Sequence, residues 1–265
     1  VDEAAIGINE GDARLERYLK HLDNVLPSAK HRSRHPKMLA LVERVVSLWQ
    51  QGEKVVVFCH FQATGRALAR HVSAEIERRL YGHVSEQMRC SEEEARDVVR
   101  RAGESFDRDR PAERTLRAFV TSLLGEHRTL DGATGNRVYE VVRRFVRTPP
   151  FLARYMPLGS ADRAEAVGSA LDAADGSGLT LRHKLQDFVR FIGDRCQEEE
   201  RQDYLDALES ITPGERGQSS DTSDMEVARG PLLPNVRLAN GPVRQETRRR
   251  LLLGFNSPFF PEILI

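Results

Sequence analysis

The side chains best suited to chemistry are few and scattered. His60 closes the apolar run KVVVFCHF beside Cys59 and has the pKa range of a general base, but the sequence offers it no identifiable Ser, Cys or carboxylate partner. Its expected role is structural or in lining a cleft. His31 and His35 stand at i, i+4, yet Pro36 interrupts any helix through both, and no H-E-x-x-H pattern occurs, so no metal site is expected. The basic run KHRSRHPK around them reads as a solvated loop. Cys59, Cys90 and Cys196 are far apart, odd in number and without a C-x-x-C pair, which argues against a disulfide framework or a zinc site and fits a reducing interior. The stretch GSGLTLRHK, residues 176–184, has the glycines of a phosphate loop at the wrong spacing and no buried strand before it. The pattern G-x-x-x-x-G-K-[ST] is absent. No catalytic residue is assigned.

Composition sets the frame for these residues. The chain has 265 residues, 40% of them hydrophobic, enough for a substantial core. Its 40 Lys and Arg cancel its 40 Asp and Glu, so any attraction to a nucleic acid must be local. No apolar run approaches the roughly 20 residues of a membrane span, and the start VDEAAIGINEGDAR lacks the regions of a signal peptide, which predicts a soluble, cytoplasmic protein with no membrane partner. Opening on Val1 and closing on the strand-like PEILI, the sequence reads as a piece of something longer.

Three textures follow one another along the chain. After a helical lead-in, residues 1–35, HPKMLALVERVVSLWQQ places Leu39, Val42, Val45, Val46 and Trp49 on one helical stripe. KVVVFCHF, residues 54–61, is β-branched and aromatic without polar alternation, which predicts a central parallel strand buried on both faces. Thr64 is expected to cap the next helix, through Leu68, Val72 and Ile76, so that residues 36–80 spell helix, strand, helix. From 81 to 209 only helical patterns appear, with starts expected at Thr148 and Ser160 and turns at LDGATGN and DAADGSG. Residues 210–230 have the composition of a flexible linker. From 231 to 265 the α/β texture returns, with NVRLAN and PEILI as strands around the arginine-rich helix VRQETRRRLLLGF. The expected fold is α/β: a partial parallel sheet with flanking helices, interrupted by a large all-helical insertion.

Two of these segments carry a resemblance that covers about 80 of the 265 residues. HPKMLALVERVVSLWQQGEKVVVFCHFQATGRAL resembles the helix and strand of motif IV in the second RecA-like lobe of superfamily-two helicases, including Swi/Snf-type translocases and DEAD/DEAH-box proteins. In GPVRQETRRRLLLGFNSPFFPEILI, Gly241, Gln245, Arg248 and Phe255 reproduce the family's Gly-x-x-x-Gln-x-x-Arg with Phe seven residues on. The resemblance implies a RecA-like lobe that ends before motifs V and VI. It also implies that Gln62, Thr64, Gly241, Gln245 and Arg248 hold the backbone of a DNA or RNA strand. Phe58, Phe61 and Phe255 are expected in the core.

The same resemblance bounds the activity. ATP hydrolysis in that family needs a phosphate loop and a magnesium-holding acid from a first lobe, and an arginine finger in motif VI. ATP and magnesium are thus expected only in an intact parent, with no cofactor for this chain alone; the first RecA-like lobe is its expected partner, and the helical insertion could recruit a protein. Two rival readings are a non-catalytic interaction protein built on a helicase-derived platform, and an unrelated α/β enzyme with a helical cap. The absence of G-x-S-x-G and G-x-G-x-x-G weakens the enzyme.

Overall fold

Three short strands, distant in the chain, pair to make the sheet. β1 (Val55–Val56), β2 (Val236–Arg237) and β3 (Ile263–Leu264) run parallel in the order β1-β3-β2. The computed structural model describes residues 36–211, 235–239 and 243–265. Val45–Ile265 form one compact unit. The preceding unit, Val1–Arg44, is described only through the first turns of α1 (Pro36–Gln50). The lead-in 1–35, with His31 and His35, and most of the expected linker lie outside the described residues.

The sheet departs from expectation in which strand is central. β3, from PEILI, is bonded on both sides: the Val55 and Val57 amides donate to Glu262 and Leu264 (2.9 and 2.8 Å), and the Ile263 and Ile265 amides donate to Asn235 and Arg237 (2.8 and 3.0 Å). β1 is an edge strand, and its Val56 is 45% exposed. An apolar run marks a strand's capacity for burial but not its place in the order, because a parallel neighbour comes from elsewhere in the chain.

Helices occupy the interval between β1 and β2. They are α2 (Gln62–Met88), α3 (Glu92–Glu104), α4 (Pro111–Leu124), α5 (Gly132–Val146), α6 (Pro149–Tyr155), α7 (Arg163–Asp172), α8 (Leu181–Arg190) and α9 (Glu198–Ser210). α10 (Gln245–Phe255) then joins β2 to β3. α2 buries Leu68, Val72, Ile76, Leu80 and Val84, one stripe at i, i+4 spacing, so the backbone is continuous through position 81, where the sequence texture changes. Its cap is Phe61, which puts Thr64 in the first turn rather than before it. Ser91 and Glu94 close a capping box on α3, and Thr148 precedes Pro149 at the start of α6, as expected. α7 starts two residues beyond the expected Ser160 because Asp162 accepts from the Ala164 and Glu165 amides. LDGATGN holds the last residue of a 3-10 turn (Arg128–Leu130) and the start of α5, whereas DAADGSG is the turn expected.

A polar cluster ties the helical segment to the amino edge of the sheet. Glu262, just before β3, accepts from Trp49 Nε1 (2.8 Å) and Arg154 Nη1 (3.3 Å), and the Arg154 guanidinium stacks 4.6 Å from the Trp49 ring. Arg154 also donates to the Trp49 carbonyl at 3.2 Å. Nearby, the Asp175–Gly178 turn lies directly on the backbone of Gln51: a Cβ on Gly176 would sit 2.3 Å from the Gln51 carbonyl oxygen and 2.7 Å from its Cα. Neither is a flexible side-chain end, so the turn and the end of α1 must separate to accept a methyl group. Gly176→Ala is expected to lower unfolding free energy by about 1–3 kcal/mol. Gly168→Ala, on α7 with nothing within 4 Å of its Cβ, is expected to raise it by about 0.5–1 kcal/mol through helix propensity alone. Urea denaturation of both variants checks the pair, and equal effects would contradict the contact.

Candidate nucleic-acid interface

Because the three strands are parallel, their connections to the following helices leave from one edge. β1 reaches α2 through Val57–Phe61, and β2 leads through Leu238 and Ala239 towards α10. Gly65, in the second turn of α2, marks where these exits meet: a Cβ there would stand 3.7 Å from Cys59 Cβ, 3.7 Å from Ile265 Cγ2 and 3.9 Å from Leu238 Cδ2. These are ordinary van der Waals distances, so the start of α2 lies in contact range of all three strand ends.

Gln62 and Thr64 are exposed on the first turn of α2, where the Phe61 cap uses no side-chain hydrogen bond. The first amides of a helix and its positive dipole end favour an anion, and exposed hydroxyl or amide side chains can add donors. Arg66 Nη2 donates to Gln62 Oε1 at 3.3 Å and so brings a guanidinium to this turn. On the other connection, Gln245 is exposed at the first position of α10, and Arg248 Nη2 donates to the Val243 carbonyl at 3.4 Å. Glu246 pairs with Arg250 (2.5 Å), and Arg249 pairs with Asp203 of α9. Gly241 lies outside the described residues. The topology brings both helix starts to one edge of the sheet, one bearing Gln62 and Thr64, the other Gln245 and Arg248.

The aromatic residues expected in the core divide. Phe255 is half-buried, with Lys54 Nζ 5.3 Å from its ring centroid. Phe58 and Phe61 are 94% and 53% exposed. Phe58 follows an edge strand, and alternation puts it on the same side as the exposed Val56. His60 stands edge-on to Phe61, centroids 4.7 Å apart, and is itself exposed. Among the described residues no three His, Cys, Asp or Glu side chains converge as metal ligands. No helix among them is long and apolar enough to cross a membrane.

Charge is distributed unevenly between the two edges. Beyond the carboxyl end of β1, residues 58–74 contain Arg66 and Arg70 and no acid, and beyond that of β2, residues 238–245 contain Arg244 and no acid, with Glu246 following. Burial pulls the Arg237 guanidinium below its usual range. At the amino edge, Glu262 and Asp175 accompany Arg154, Lys184 and the ammonium of Lys54. Lys54 Nζ donates to the carbonyls of Phe259 (2.7 Å), Pro261 (3.1 Å) and Gly254 (3.5 Å) and thereby pins the α10–β3 connection to β1. No local pattern marks this clamp, since its acceptors are main-chain oxygens some 200 residues away. No protein-family model, curated protein or solved structure matches this chain.

Burial lowers the Lys54 pKa from 10.5 to about 7, against the attraction of Glu262 and with the repulsion of Lys184. Below pH 7 the folded and unfolded chains both carry this proton and stability does not change with it. Between pH 7 and 10.5 the unfolded chain binds the proton and the folded chain does not, so stability rises with pH. Urea unfolding is expected to show a gain of about 2 kcal/mol from pH 7 to pH 9. Lys54→Met should lower stability overall and flatten that rise. A rise that survives the substitution would assign it to another group.

Proposed function

We propose that this chain is part of the second RecA-like lobe of a superfamily-two helicase or nucleic-acid translocase, and that the carboxyl edge of its sheet grips the backbone of a DNA or RNA strand. The observation that carries the reading is the sheet itself: the two segments bearing the helicase resemblance supply β1 and β3, which pair in parallel across an interval of helices, and NVRLAN, just before the second segment, supplies β2 on the other side of β3. Both β-to-α connections therefore open where Gln62, Thr64, Gln245 and Arg248 begin their helices. Helix-start amides, exposed amide and hydroxyl groups and local arginines suit a polyanion whose sequence is not read.

The grip is one half of a cycle. A first lobe would supply the phosphate loop and magnesium-holding acid, and ATP and magnesium would belong to that intact parent, since this sequence has no phosphate loop. Alternate closing and opening of two such lobes on a strand would move the protein along it. Gly241 is assigned to the same grip by the helicase resemblance. The helices between β1 and β2 are assigned to partner or strand-guiding contacts.

The test is anisotropy of a labelled single-stranded oligonucleotide with the full chain. Affinity is expected to fall roughly tenfold between 50 and 200 mM salt, as release of counterions from two or three phosphates requires. Gln245→Ala with Arg248→Ala should weaken binding several-fold and flatten the salt dependence by about one phosphate contact, while thermal melts show the fold retained. Absence of binding at 50 mM salt would sink this reading.

A further inference from the structure

Phe58 is the most exposed large hydrophobic side chain among the described residues, and it stands at the carboxyl edge already assigned to the strand backbone. At 94% exposure its ring has almost no intramolecular packing, although its neighbours in sequence are the buried Val55 and half-buried Val57 and Cys59. Phe61, 53% exposed with His60 edge-on to it, begins α2 three residues later. The rings thus flank the helix start that carries Gln62 and Thr64.

We propose that Phe58, with Phe61 beside it, is a stacking platform for the bases of a single-stranded nucleic acid whose backbone lies on the starts of α2 and α10. The proposal rests on the backbone-grip reading and names its substrate class: an unpaired strand, because only unpaired bases offer a free face to an aromatic ring. Charge complementarity selects this occupant over a protein. Beyond the carboxyl ends of β1 and β2, residues 58–74 and 238–245 hold Arg66, Arg70 and Arg244 and no Asp or Glu, in a chain whose net charge is zero. Stacking adds affinity without sequence choice, since every base has a face, and so complements contacts that read only phosphate.

The experiment compares two oligonucleotides of one length and one charge, oligothymidylate and its abasic counterpart, binding to the full chain at low salt. The intact chain is expected to hold the thymidylate roughly tenfold tighter than the abasic strand, within the range of one base–aromatic stack. Phe58→Ala should remove that preference and leave abasic binding unchanged; Phe58→Trp should keep it, with indole fluorescence quenched by thymidylate but not by the abasic strand. Phe58 is solvated, so neither substitution is expected to disturb folding. Equal binding of the two strands by the intact chain would overturn the platform and leave the backbone grip standing. Failure to bind either would overturn the grip itself. A preference for bases that survives Phe58→Ala, or an unquenched tryptophan, would release the ring to a protein contact and overturn the proposal.

Discussion

The hydrogen bonding of β3 on both of its edges is the constraint from which the rest of the architecture follows. Two residues, Ile263 and Leu264, hold Val55–Val56 on one side and Val236–Arg237 on the other. Parallel pairing of segments this far apart requires the chain between them to leave one edge and return to the opposite one. Among the described residues, the path from β1 to its partner β3 runs through α2–α9, β2 and α10, and the path from β2 to β3 through α10 alone. The direction of β3 therefore decides that both helix starts open on the same side.

Two residues against two are few bonds for a sheet, and the amino edge supplies what the ladder lacks. Lys54 gathers three carbonyls from the α10–β3 connection, and Glu262 joins the Trp49 indole to the Arg154 guanidinium. Removing one partner of such a cluster strands a desolvated charge, which costs more than the contact contributes. The two edges thus divide their tasks: acids and bases neutralise each other at the amino edge and fix the strands, whereas the cations beside the carboxyl edge face no acid in their own segments.

Much of the fold was legible because local rules set it. Helix stripes, the Thr148–Pro149 start and the α/β texture at both ends are written in nearby residues. β1 and β3 were also legible as apolar runs and β2 as the short strand NVRLAN, and their adjacency followed from the need of a buried parallel strand for neighbours. What escaped was order and exposure. KVVVFCHF reads as central, yet its place at the edge depends on PEILI, and so Phe58 is in water rather than in the core. Thr64 reads as a cap because hydroxyls favour that position, but the chain turns at Phe61. Gln62, Thr64, Gln245 and Arg248 are put forward by the helicase resemblance rather than by any local rule. Lys54, Glu262 and Arg154 were missed because each finds partners a hundred or more residues away.

The wide separation of β1 from β3 bears on how the protein is made. β1 leaves the ribosome about 200 residues before β3, its partner strand among the described residues, an interval of about 10–40 s at ordinary rates of elongation. During that time the helices, whose contacts are mostly local, can collapse. Val55 and its neighbours must meanwhile wait with their amides unpaired, and a waiting apolar strand is a template for pairing with other chains. Until PEILI appears, that strand lacks the parallel pairing that holds it in the finished sheet.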